Sequence, residues 1–219
     1  MLGEGEPSSK GSLDQLSLRP DHGGTLCSDA LAIPLDPLMG MDGLPQSGTG
    51  QVALLTGENA AFLYGRHFGP WVPVPLRPLM MERNVLSLAK ERGIPCTFAN
   101  AYPSQFIQRA WVKRPAGPPL AAHGAGLLTR TEEELTLGEA VSSEMLNTAW
   151  RERLGLTHLP EISPGEAGRN LARIDAGCTL TFFSHYSTDT AGPERSMDAA
   201  VAALERLDAF LSGMVPALP

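Results

Sequence analysis

The clearest patterns along the chain are helical. Apolar residues at Met197, Ala200, Val201, Leu204, Leu207, Phe210 and Leu211 recur at three- and four-residue intervals, which predicts a long amphipathic helix over 196–213. Leu79, Met80, Val85, Leu86, Leu88 and Ala89 predict a second over 77–92, closed by Gly93. Ser163-Pro164-Gly165-Glu166 places Ser at an N-cap, Pro at the first helical position and Glu at the third, so a helix starts there and runs to about Ala176, with Gly177 after it. Val52 to Leu55 predict a short helix from Gly48 to about Thr56, stopped by Gly57. Further short helices are read over 132–141 and 143–154.

Two runs read as buried strands: 95–102 (Pro-Cys-Thr-Phe-Ala-Asn-Ala-Tyr) and 179–186 (Thr-Leu-Thr-Phe-Phe-Ser-His-Tyr). Residues 31–38 are apolar but broken by Pro34 and Pro37, and suit an extended edge segment. Loops are expected over 40–48 and 65–75, and a Pro/Gly linker over 114–119. Helix, glycine and strand follow one another over 77–102, the rhythm of an α/β fold. The expected architecture is a mostly parallel sheet flanked by helices over 31–215. A small cap or insertion is expected around 103–160, and a poorly structured arm over 1–30.

Composition narrows the function. With 42% hydrophobic and 19% charged residues, a packed core is affordable over most of the chain. The net charge of −7 argues against a nucleic acid or an anionic membrane as partner. Cys27, Cys96 and Cys178 form no CxxC and no zinc-knuckle spacing, and read as free thiols of a reducing compartment. No apolar run has membrane-spanning length, and the acidic, Gly/Ser-rich start lacks the features of a signal peptide, so a cytoplasmic protein is expected.

The candidate chemistry centres on Gly43-Leu-Pro-Gln-Ser47-Gly-Thr-Gly-Gln51. A glycine-flanked serine opening a helix can meet an anion with unpaired N–H groups and the positive end of the helix dipole. Pro45 and Thr49 stand where a G-x-S-x-G elbow needs glycines, and no Gly-Lys-Ser/Thr follows as in a Walker A loop. The residues alone leave open whether Ser47 is a nucleophile or an ordinary helix-start serine.

The stretch 35–59, with Gly65-Arg66-His67, Thr97-Phe98-Ala99-Asn100-Ala101-Tyr102 and His185-Tyr186-Ser187-Thr188-Asp189-Thr190-Ala191-Gly192 in the same order, resembles the metalloenzyme domain of the alkaline phosphatase superfamily, near cofactor-independent phosphoglycerate mutase and phosphopentomutase. The resemblance implies an alkaline-phosphatase-like core, here without its first strand and its C-terminal strands. It implies metal-dependent phosphoester hydrolysis or phosphoryl transfer through Ser47, with two divalent cations, Zn or Mn. Ser47 would accept the phosphoryl group and ligate metal, and Asp189 would be a carboxylate ligand. Gly48, Thr49, Asn59, Arg66, His67 and Asn100 would contact or support a small phosphorylated substrate.

The chain departs from that pattern at several ligands. Gly192-Pro193 stands where the family has Gly-His, the Asp-Gly-x-Gly start is missing, and no Asp-His-Gly follows the last helix. Asp21-His22-Gly23-Gly24 precedes the serine loop and reads as a loop. Weak metal binding and little turnover are therefore expected of this chain. The alternative is an inactive truncated homologue serving as an anion-binding or interaction module, with self-association through unpaired sheet edges.

Overall fold

A computed structural model describes residues 35–109, 113–187 and 196–219, together with the backbone of 25–27 and 30–32. In chain order the elements are β1 (Thr25–Cys27), β2 (Ala30–Ala32), α1 (Ser47–Thr56), α2 (Ala60–Tyr64), a 3-10 turn at Val74–Leu76, α3 (Arg77–Glu82) and α4 (Val85–Glu91). There follow β3 (Cys96–Phe98), α5 (Ser104–Arg109), α6 (Gly117–Gly124), α7 (Glu132–Leu137), α8 (Thr148–Arg153), α9 (Pro164–Asp175), β4 (Leu180–Phe182) and α10 (Met197–Met214), with a last 3-10 turn at Val215–Ala217.

The expected mostly parallel sheet is not what forms. The chain is about 52% helical, and among the described residues its parallel sheet is the single pair β3–β4, in register Cys96↔Leu180 to Phe98↔Phe182. β1 and β2 make a separate antiparallel hairpin. Both predicted strands are real but short. Ala99 still donates to the Phe182 carbonyl at 2.9 Å, and Asn100 bridges Val141. Beyond that point the ladder is replaced by a side chain, as described below.

Local chemistry explains the other differences. The 77–92 helix is split because Asn84 turns its amide on the backbone: Oδ1 accepts from Leu86 and Ser87 N–H at 2.9 and 3.1 Å, capping α4. Nδ2 donates to the Met80 carbonyl at 2.8 Å, closing α3 as well. The 132–141 helix stops at Leu137 because Gly138 takes a left-handed φ of 70°, a conformation that favours glycine. The 143–154 helix shrinks to α8, with Met145 at φ 64° in the turn before it. The expected 114–119 linker is non-helical only to Ala116; from Gly117 it is the start of α6, a core helix. Its Pro118 and Pro119 fall in the first turn, where no intrahelical N–H is needed.

The start of α9 is as the sequence predicts, Ser163 Oγ accepting from Glu166 N–H at 3.2 Å. Helices α9 and α10 pack so closely that a methyl at Gly168 would collide with the Phe210 carbonyl, and one at Gly213 with the Gly165 carbonyl. α6 sits at the centre of the other half. Its Leu120 and Ala121 pack with Val52 of α1, Leu76 of the 3-10 turn and Met80 of α3, while Ala122 packs with Leu86 and Phe98 from α4 and β3. Phe182 of β4 touches both groups. Among the described residues no helix is long and apolar enough to cross a membrane.

Candidate functional site

Ser47 is the first residue of α1, with Gln46 as an extended N-cap whose side chain makes no capping bond. The first turn is pinned from one side. Thr49 is fully buried, its N–H donates to the Phe68 carbonyl at 2.8 Å, and its Oγ1 accepts from Phe68 N–H at 3.2 Å. Gly48 lies so close under this segment that a side chain would strike the Phe68 and Trp71 carbonyls. Glycine at 48 is thus dictated by a neighbouring backbone, whatever else it does. Among the described residues, the N–H groups of Ser47 and Gly48 have no acceptor and Ser47 Oγ has no hydrogen bond. The turn contains no acidic residue to satisfy the helix dipole from within.

Beside this helix start is an open cleft of about 370 Å³, lined by Asp42, Gly43, Leu44, Gln46, Arg66, His67, Phe68 and Gly69. Gly69 abuts the helix start, since a methyl there would sit 3.2 Å from Gly48 N. The Arg66 guanidinium lies 5.8 Å from the Tyr64 ring centroid and 6.0 Å from that of Phe68, so its charge stays exposed while its faces rest on aromatics. His67 Nε2 is 3.3 Å from the Met41 carbonyl. A carbonyl only accepts, so Nε2 donates this contact, while Nδ1 is buried and unpartnered. Asp42 is the one carboxylate of the cleft lining and opposes an anion there.

Of the residues expected from sequence, the structure gathers the Ser47-Gly48-Thr49 turn, Arg66 and His67 in one region. Asn59 and Asn100 have other work. Asn59 caps α2, accepting from Phe62 N–H at 3.1 Å and donating to the Met39 carbonyl at 2.7 Å. Asn100 is 1% exposed, and its carboxamide pairs with the main chain of Ser184, donating to the carbonyl and accepting from the N–H, both at 2.8 Å. Asp189 lies outside the described residues. Gln46, Asp42 and Phe68 were not singled out from sequence; only the non-local approach of 42–46 to 66–69 gives them a place in the cleft.

A second polar region lies at the carboxyl ends of β3 and β4. Tyr102 and Tyr186 meet hydroxyl to hydroxyl at 3.5 Å, with Ser184 Oγ 3.3 Å from Tyr186. Burial, together with the Tyr186 phenol, holds the Tyr102 hydroxyl well above the usual tyrosine range. His185 Nδ1 donates to the Ser143 carbonyl at 2.9 Å, leaving Nε2 buried and unpartnered. Burial lowers this imidazole below 6.5, and the charge of Arg206 adds to the effect while the Ser143 bond opposes it. Burial also raises the Glu144 carboxyl above its ordinary value.

Among the described residues no three His, Cys, Asp or Glu side chains gather as a cation site would require. The described donors do not by themselves fit the divalent pair that the resemblance implies. Comparison with protein-family models, with curated proteins and with solved structures gives no match.

Proposed function

We propose that this chain binds a small phosphorylated molecule in the cytoplasm, seating the phosphate at the start of α1. The observation that carries the reading is the helix start itself: the N–H groups of Ser47 and of the buried Gly48, and the Ser47 hydroxyl, have no partner among the described residues and stand beside a cleft that presents Arg66. Gln46 and His67 supply further polar surface on the same cleft. Asp42 tempers the positive potential and favours ligands that offer a hydroxyl or a cation next to the phosphate.

The test is thermal unfolding and calorimetry with inorganic phosphate and sulfate against chloride at equal ionic strength. Saturable stabilisation by phosphate that weakens several-fold in Arg66→Ala is the expected result. Equal melting curves in phosphate and chloride would refute the proposal. A second reading, phosphoryl transfer to Ser47 Oγ with Zn or Mn supplied, is favoured by the hydroxyl having no protein partner among the described residues. Mass mapping after incubation with an aryl phosphate and either cation tests it; phosphate on Ser47 supports transfer, and an unmodified Ser47 with intact phosphate binding leaves binding as the function.

A further inference from the structure

The entry ends of the two parallel strands bring together a pair of cysteines far apart in sequence. Parallel register sets Cys96 against Leu180, and the Pro95 carbonyl accepts from Thr179 N–H at 2.8 Å and from Leu180 N–H at 3.2 Å. The first of these bonds joins the peptide leading into Cys96 to the peptide leading out of Cys178. Standard peptide dimensions then hold the two Cα atoms to about 8 Å or less. A disulfide spans about 4.4–6.8 Å between Cα atoms. Cys178 precedes β4 in a turn, its N–H on the Asp175 carbonyl at 2.8 Å, so the small adjustment needed falls on a turn rather than on the ladder.

Both thiols are free and partly exposed. Cations flank both. Lys90 bears on Cys96 from α4, and Arg130, fixed by Thr97 Oγ1 at 2.7 Å and the Phe98 carbonyl at 2.9 Å, bears on Cys178. Burial pushes the Cys96 thiol up, Lys90 opposes this, and Cys178 is close enough to add its own charge. Cys96 Sγ donates to the Leu86 carbonyl at 3.7 Å, a bond that holds its proton and suits the second, resolving role.

We infer that Cys96 and Cys178 are a redox-modification site, forming a reversible disulfide across the entry of the β3–β4 pair when a hydroperoxide is the oxidant. The Cys178 thiolate attacks the peroxide O–O bond, giving a sulfenic acid and releasing water or an alcohol. The Cys96 thiolate then attacks that sulfur, forming S–S and releasing water. Two thiols lose two electrons and two protons, and the peroxide is reduced by the same two electrons.

The test uses the full chain carrying Cys27→Ser, treated with stoichiometric hydrogen peroxide and mapped by mass spectrometry without reduction. A linked Cys96–Cys178 peptide, loss of both thiols to alkylation, a melting temperature raised by roughly 5 °C or more, and reversal by a dithiol are expected. Cys96→Ser should trap Cys178 as a sulfenic acid that a dimedone-type probe labels. Cys178→Ser should leave Cys96 reduced under the same treatment. The inference is overturned if Cys178 proceeds to the sulfinic acid while Cys96 stays free to alkylate, or if neither thiol reacts in the folded chain.

Discussion

Replacing Ser47 by Asp places a carboxylate where the proposed phosphate would sit. α1 has no acidic residue in its first turn, whereas α7 has Glu132, Glu133 and Glu134. A charge at an unsatisfied helix start is worth about 0.3–1 kcal/mol. Asp42 in the same cleft offsets part of this. The free Ser47→Asp variant should therefore melt roughly 1–3 °C above the parent, at about 2–4 °C per kcal/mol for a chain of this size. Phosphate at ten times its dissociation constant should stabilise the parent by about 1.4 kcal/mol, or roughly 3–6 °C. In the variant that increment should fall below about 1 °C, because the carboxylate occupies the N–H groups and repels the ligand. The assay is a melting series in phosphate against chloride at constant ionic strength. A variant that keeps the full phosphate response would show that the anion binds elsewhere and would refute the assignment of this helix start.

Other predictions rest on single contacts. Asn84→Ala removes the cap of α4 and the bond to the Met80 carbonyl from a side chain that is 0% exposed, and should cost about 2–4 kcal/mol in urea unfolding. Gly213→Ala drives a methyl into the Gly165 carbonyl and should cost about 1–3 kcal/mol, read by the same method. His185 is held neutral below its ordinary 6.5 by burial, aided by Arg206. The folded state then binds fewer protons than the unfolded one, so this stability is complete well above 6.5 and is lost as pH falls below it toward the lower folded value. Urea midpoints measured across that window should decline for the parent and decline less for His185→Gln; equal slopes would contradict the assignment.

Helix starts with a strong local signal were legible in the sequence: Ser163 before α9, and the periodic run that became α10. The sheet was not. The apolar runs at 95–102 and 179–186 have strand character, but ladder length depends on a partner backbone, and here a side chain takes over after Ala99. Asn84 and the paired prolines of α6 show the same limit. Each is a breaker in one setting and a cap or first-turn residue in another, and packing decides which. Of the candidate site, the glycine-flanked serine was readable because a helix start is local. The cleft was only half readable, because Arg66 and His67 meet Gln46 through contacts about twenty residues apart in the chain.

Asn100 has a consequence beyond holding two strands together. An ordinary rung of a ladder is made by peptide groups and survives nearly any substitution in the residues that carry it. This rung is written in a side chain, so a single codon controls it. Asn100→Asp would keep the acceptor for Ser184 N–H but set a carboxylate against the Ser184 carbonyl, turning an attraction into a repulsion at 2.8 Å. His185, next along the chain, would move with it. The placement of that half-buried imidazole is thus tied to one side chain just past the neighbouring strand, and exchange of this one amide is a route by which the region is retuned without altering the helices around it.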